Sequence, residues 1–290
     1  MEKEHKTADS TNKRPAAKGL FIGASGIDAV FMLDRPLPSE NEKIKTNSFY
    51  LDTGGPAAKA AEVFAGLGGD ASLVTCIGDS PLGGFLKASL EAAGVKVKDI
   101  AGDAYTTPNV SSVLIRQENG TRTLVSGQKP LDGAVLGDTV SGDFDFCLYD
   151  CNLPDLTPEI VEALRIHKIP LVLDCGSWKP NIECALEYAD IAISSSGFIS
   201  PDGSDIFALQ EKYGIRLVSR TNDGGPVEFC ENGLRGTVPV NKLDSGNTLG
   251  AGDVFHGAFC FFCFSEGAGF PEALSRAALY TEEYIKARPM

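Results

Sequence analysis

The sequence is short of basic residues. Lys and Arg number 26 against 39 Asp and Glu, a formal charge of −13 over 290 residues. Such a surface repels phosphate backbones, which argues against nucleic-acid or anionic-membrane binding as the main role. Long apolar runs are missing too. The longest, residues 254–264, is interrupted by His256 and Gly257, well short of the roughly 20 residues that cross a bilayer. No secretory apolar region follows the start. Residues 1–18 are polar and of mixed charge and read as a disordered tail, so a cytoplasmic location is expected. There is no internal repeat, and no G-x-G-x-x-G follows the first strand, which argues against a dinucleotide-dependent oxidoreductase. Cys260-Phe-Phe-Cys263 has redox or zinc spacing, but no second pair or His cluster accompanies it, and no metal is assigned. The remaining cysteines mostly lie in apolar stretches, where a reduced Cys acts as a small hydrophobe.

What is present is ordinary globular composition, 43% hydrophobic and 22% charged, with enough length for one large α/β domain or two modest ones. Short apolar runs at 19–24, 71–77, 144–149, 169–173, 190–193 and 215–219 read as buried strands. Helical stretches lie between several of them. Pro56 opens an Ala-rich helix to 67, and residues 82–93 stop at Gly94. A third helix over 157–167 is capped by Thr157, and a fourth over 204–213 by Ser204. The alternation predicts an α/β fold, doubly wound, with a mostly parallel central sheet covered by helices on both faces. Two segments break the pattern. Residues 29–50 carry Pro36 and Pro38 and do not read as a helix. Residues 106–126 hold two β-prone runs separated by Gln117-Glu118-Asn119-Gly120, a hairpin signal. Together they predict a small separate sheet, either a lid over a site or a peripheral hairpin.

Three segments could carry chemistry. In Asn247-Thr248-Leu249-Gly250-Ala251-Gly252-Asp253 a small-residue turn runs into an apolar helix. The first-turn N–H groups have no intrahelical acceptor and the helix dipole is positive there, so an anion can dock without Lys or Arg. Asp253 then either takes a proton from an attacking hydroxyl or caps the helix. Asp52-Thr53-Gly54-Gly55 precedes the first helix and lets a ligand approach the backbone, or is a plain turn. Asp28, placed just after the first strand at the carboxyl edge of the sheet, either accepts hydrogen bonds from sugar hydroxyls or is solvated.

Taken together, these residues resemble the pfkB family of carbohydrate kinases, of ribokinase-like fold, from about Gly19 onward. Gly23-Ala24-Ser25-Gly26-Ile27-Asp28 is similar to the family's opening strand and substrate Asp. Gly54-Gly55 with the Ala-rich helix resembles the first signature, 74–83 a strand and G-D-x-x-G turn, and Gly250-Ala251-Gly252-Asp253 the second signature. The resemblance implies one kinase domain over 19–290 and a phosphotransferase acting on an alcohol group. Asp28, Gly54, Gly55 and Lys59 would bind the sugar under the lid. Asp253 would be the base, with the backbone of Gly250, Ala251 and Gly252 stabilising charge. ATP would lie against Arg220, Thr221, Gly224 and Gly225, with Mg²⁺ bridging its phosphates; for that loop a simple hairpin turn is the other reading. A homodimer through the lid is also implied. The alternative is a non-catalytic sugar- or nucleotide-binding protein of the same fold.

The sequence departs from the pattern in places. Lys59 stands where the family usually has Asn, which suggests an anionic or unusual sugar, weaker sugar binding, or a side chain that snorkels away. Asn247 replaces a common Asp near a monovalent-cation site. Residues 194–198 lack the Glu of the family's N-x-x-E segment, and the sequence given ends at Met290, before a Gly-containing tail.

Overall fold

The computed structural model describes residues 15–288, apart from 104, 129, 130, 132, 138, 139, 141, 142, 242, 244 and 245. In chain order the strands are β1 Lys18–Ile22, β2 Gly26–Leu33, β3 Phe49–Gly54, β4 Asp70–Thr75, β5 Val95–Asp99, β6 Asn109–Arg116, β7 Arg122–Ser126, β8 Phe146–Tyr149, β9 Leu171–Cys175, β10 Ile191–Ser194, β11 Leu217–Asn222, β12 Gly225–Glu231 and β13 Leu234–Val238. The helices are α1 Pro56–Gly66, α2 Pro81–Ala92, α3 Pro158–Ile166, α4 Ile182–Leu186, α5 Ile206–Tyr213, α6 Ala251–Cys260 and α7 Phe270–Ala287.

The large sheet has the order β13-β12-β11-β10-β9-β8-β1-β4-β5. It is parallel from β5 to β11, and the hairpin partners β12 and β13 add antiparallel strands at one edge. One face packs Phe21, Leu73 and Phe146 against α1, α2, α6 and α7. The other packs Leu20, Cys147 and Leu173 against α3, α4 and α5. This is the doubly wound sheet expected from the sequence. Buried parallel strands read as continuous apolar runs because helices cover both faces.

The second sheet, β3-β2-β6-β7, has its own small core of Val30, Met32, Val113, Ile115 and Leu249. Its strands begin at Gly26, so the non-helical segment expected over 29–50 starts earlier, and 34–48 is the connection. The hairpin over 109–126 closes on Gly120, which lies at φ +69° and whose amide donates to Arg116 O at 2.8 Å. Two local expectations are corrected. Asp205 rather than Ser204 caps α5, its carboxylate accepting from Phe207 N and Ala208 N. The tail expected over 1–18 lies outside the described residues up to 14; Ala17 is buried and Lys18 opens β1.

Small residues set the helix that matters most. A Cβ at Gly257 of α6 would sit 2.4 Å from Ala60 O and 2.9 Å from Val63 Cβ of α1. The Ala-rich face of α1, with Ala57, Ala58 and Ala61 buried, and this glycine let the two helices approach closely. That contact fixes where the α6 N-terminus points. Beyond α6 a π-helical turn, Phe261–Ser265, presents Phe264 to Phe146 at 4.5 Å between ring centroids. Cys260 is fully buried in this core, and burial raises its thiol well above the ordinary range. No helix among the described residues is long and apolar enough to cross a membrane.

Candidate active site

Strand order reverses direction at β1, which has β4 on one side and β8 on the other. Ligands of open α/β sheets bind outside the carboxyl ends of strands at such a point. A cavity of about 770 Å³ lies there, lined by Asp28, Gly54, Gly55, Lys59, Gly250 and Asp253, with Asp52, Asp174, Lys179 and Arg288.

Asp28 reaches it from the lid sheet. The chain leaves β1 at Ile22 and enters β2 at Gly26, so Asp28 is a lid-strand residue rather than a loop residue at the edge of the main sheet. It faces Asp52 across the β2–β3 pair and Ser111 across β2–β6. Burial raises its carboxyl above the ordinary value; the Ser111 hydrogen bond opposes this and the Asp52 charge adds to it. Gly54 leaves room beside it, since a Cβ there would lie 2.6 Å from Asp28 Oδ1 and push that carboxylate aside. Gly55, at φ +95°, passes so close to Ala24 O that a Cβ would sit at 2.4 Å.

Lys59 lines the cavity, but its ammonium is held elsewhere. Nζ donates to Glu62 Oε2 at 2.8 Å and to Asp52 Oδ1 at 3.1 Å. Burial lowers its affinity for the proton, and the two carboxylates outweigh that and raise it. Arg288, at the end of α7, donates to Asp52 Oδ2 at 2.7 Å, Tyr50 Oη at 3.2 Å and Leu249 O at 2.8 Å. Sequence reasoning passed over Asp52, Glu62 and Arg288 as partners. Only the Lys at an Asn position hinted that new carboxylates were needed nearby.

The turn before α6 leaves backbone amides open at the helix N-terminus. Gly250 lies at φ 72°, ψ 9° and serves as the helix N-cap, with no side-chain cap bond. The amides of Gly250, Gly252 and Asp253 have no acceptor among the described residues, whereas Ala251 N bonds to Thr248 O. Ala251 and Gly252 are not part of the cavity lining. Asn247 is buried and bonded through both ends of its amide: Oδ1 accepts from Leu249 N and Nδ2 donates to Tyr50 Oη. Arg122 of the lid donates to Thr248 Oγ1 at 2.6 Å.

Asp253 does not cap the helix, since no side-chain cap bond is formed. Burial and then the Asp174 charge push its carboxyl up to about 7, with Asp150 adding and His256 and Lys59 opposing. Three residues behind it escaped the sequence reading. Asp150, fully buried at the end of β8, accepts from Ala24 N, Ala57 N and Asn152 N. It thereby ties the β1 exit to the start of α1, and Gly23 is needed because a Cβ there would strike this carboxylate. Asp174, at the end of β9, lies 3.6 Å from His256 Nε2. His256 is also within 2.7 Å of Gly252 O and 3.3 Å of Ile193 O, which locks α6 to β10.

The expected nucleotide loop lies outside the cavity lining. Strands β11 and β12 form an antiparallel hairpin that turns through Asp223 (φ 37°) and Gly224 (φ 86°), with Gly225 opening β12. The Arg220 guanidinium is held by Glu228 at 2.6 Å and Asp205 at 3.1 Å, over the Phe207 ring. Thr221 Oγ1 donates to Ser194 O.

A doubly wound sheet with a four-stranded lid and a crevice at the switch point is the ribokinase-like fold. The family resemblance holds as well: the model of pfkB family carbohydrate kinases matches residues 17–132. The Gly250–Asp253 turn falls beyond that range. Solved structures with the same fold include one from Agrobacterium tumefaciens assigned to the ribokinases (21% identity, 94% of this chain and 92% of that one, TM-score 0.80). A ribokinase from Thermotoga maritima is also similar (21%, 93% and 93%, TM-score 0.72). So is an Arabidopsis thaliana ribokinase complexed with ribose and ATP (19%, 94% and 94%, TM-score 0.73).

Proposed function

We propose that this chain is an ATP-dependent sugar kinase that transfers the γ-phosphate to a hydroxyl of a small, ketose- or furanose-like carbohydrate, with Asp253 as general base. The observation that carries the reading is that Asp253 and Gly250, whose amides are unpartnered among the described residues, line the same cavity as Asp28, with the open amide of Gly252 next to them in the turn. Asp28 and the open backbone at Gly54 and Gly55 suit a polyhydroxyl acceptor. The acceptor hydroxyl gives its proton to the Asp253 carboxylate as its oxygen bonds to phosphorus, and ADP leaves with the electrons of the broken P–O bond. The Gly250, Gly252 and Asp253 amides take the charge that builds on the phosphoryl oxygens.

Lys59 bears on the acceptor's charge. With its ammonium already between Asp52 and Glu62, it offers nothing to an anionic sugar, and the reading favours a neutral one. Mg²⁺ would arrive on the triphosphate. Bound there, it neutralises phosphate charge. The outer face of the lid exposes Phe49, Leu51 and Val125, a surface suited to pairing between two copies.

The test is ADP release from Mg-ATP across a panel of sugars, wild type against Asp253→Asn. Turnover with at least one neutral sugar, reduced at least 10²-fold or so in the variant, is expected. Well-folded wild type that releases no ADP with any sugar would leave the non-catalytic binding protein as the better account.

A further inference from the structure

The cations around the cavity are not equivalent. Four carboxylates line it, Asp28, Asp52, Asp174 and Asp253, against Lys59, Lys179 and Arg288. Lys59 and Arg288 are both held by Asp52, and Lys59 by Glu62 as well. Lys179 is half-buried and forms no hydrogen bond or ion pair through its side chain among the described residues. Its backbone is firmly set. Gly176 is tied to Asp174 and Ser195, Trp178 packs on Phe198, Lys179 O accepts from Ile182 N, and Asn181 bonds Tyr149 Oη and Leu153 O. A fixed stem with an uncommitted ammonium is a poor structural element and a good ligand contact. Lys179 lines the cavity at the switch point, where its charge bears on Asp150, whose Oδ2 holds the N-terminus of α1.

We propose that Lys179 is a catalytic contact of the phosphoryl group in flight, closing on the γ-phosphate from the β9–α4 segment while the α6 amides hold it from the other side. A triphosphate brings several negative charges into an acidic cavity. The open amides of the helix terminus, worth about half a charge, leave most of that unbalanced, and among the described residues that line the cavity Lys179 is the cation free to respond. The ammonium keeps its proton throughout and only donates hydrogen bonds. The acceptor O–P bond forms, the bond to the ADP oxygen breaks, and the hydroxyl proton goes to Asp253. This assignment rests on the kinase reading above.

The experiment measures binding of the imido analogue of ATP and of ADP, both with Mg²⁺, to wild type, K179M and K179R by calorimetry. Steady-state kinetics follow with the best acceptor of the panel. K179M is expected to lose about 10²-fold in kcat with the acceptor KM unchanged, and to weaken the analogue about 10-fold more than ADP, the worth of one charged hydrogen bond. K179R restores part of both. Unchanged kcat and an unchanged analogue-to-ADP ratio overturn the proposal, and so does a rise confined to the acceptor KM, which would make Lys179 an acceptor contact. If wild type turns over no acceptor, the kinase reading fails by itself, and the analogue-to-ADP ratio still decides whether Lys179 meets the terminal phosphate.

Discussion

Replacing Asp253 by Asn removes a proton acceptor and a buried charge together, and the two losses act in opposite directions. In the unfolded chain the carboxyl titrates near 3.8; in the fold, burial and Asp174 push it up to about 7. The folded protein therefore keeps a proton that the unfolded chain has released. The stability tied to that proton is fully present below the unfolded value and is lost as pH rises through about 7. At pH near 8 the penalty on wild type is at most about 4 kcal/mol, because the Asp253 side chain keeps some contact with solvent at the cavity. Asn has no such penalty. With each kcal/mol worth about 2 °C in a domain of this size, Asp253→Asn should melt above wild type near pH 8. The gap should close as pH falls toward the unfolded value. Phosphoryl transfer should drop by about 10²–10⁴-fold, and the wild-type rate should climb with pH through the neutral range as Asp253 ionises. Melting curves of both proteins without nucleotide, from acid to mildly alkaline pH, read the first effect; ADP release reads the second. A gap that does not change with pH, or a wild type that gains stability on going alkaline, would refute the reasoning.

Asp28→Asn should raise the acceptor KM by about 10–100-fold, the range for hydrogen bonds to a charged group, with nucleotide affinity unchanged by calorimetry. Gly257→Ala should cost about 1–3 kcal/mol in urea unfolding, because the added methyl meets Ala60 O at 2.4 Å; a neutral result would mean that α1 and α6 are not tightly seated. Lys59→Met leaves Asp52 and Glu62 without their shared ammonium and should destabilise by about 3–5 kcal/mol, while the ranking of acceptors in the sugar panel stays the same. A changed ranking would show that Lys59 contacts the acceptor.

What could be read from the chain and what could not divide along physical lines. Strands such as β4, β8 and β9 announce themselves because burial on both faces needs unbroken apolar runs. Glycines at 54, 55 and 250 were visible because backbone approach and positive φ need them. Strand β5, with the sequence Val-Lys-Val-Lys-Asp, was missed because an edge strand with one wet face carries little apolar signal. Asp28 was assigned to the wrong element for a related reason. Only Gly26 and Ile27 separate it from the turn after β1, and nothing in Gly26-Ile27-Asp28 says that the chain has changed sheets. Asp150 and Asp174 each follow an apolar run and look like ordinary strand-end acids. Their roles depend on Ala24, Ala57 and His256, which are distant in sequence.

The Lys59 departure makes sense only with its neighbours. A lysine inserted alone at that position would leave an ammonium, with about a tenth of its side chain exposed, beside Gly250 and Asp253. There it would draw Asp253 toward permanent ionisation and compete for the phosphate. Here Glu62, one turn along the same helix, and Asp52, opposite Asp28 on the lid, take the ammonium instead. Asp52 in turn faces Asp28 directly across the strand pair, an arrangement that is destabilising for two like charges unless one is balanced. Arg288 supplies that balance from α7 and, through Leu249 O, grips the turn that positions Gly250. The four charges form one chain, Glu62 to Lys59 to Asp52 to Arg288, that joins α1, the lid and the turn before α6. Removing any one member should therefore disturb lid position as well as local charge. Pairwise substitutions of Lys59 with Asp52, and of Asp52 with Arg288, should show coupling energies well outside simple additivity.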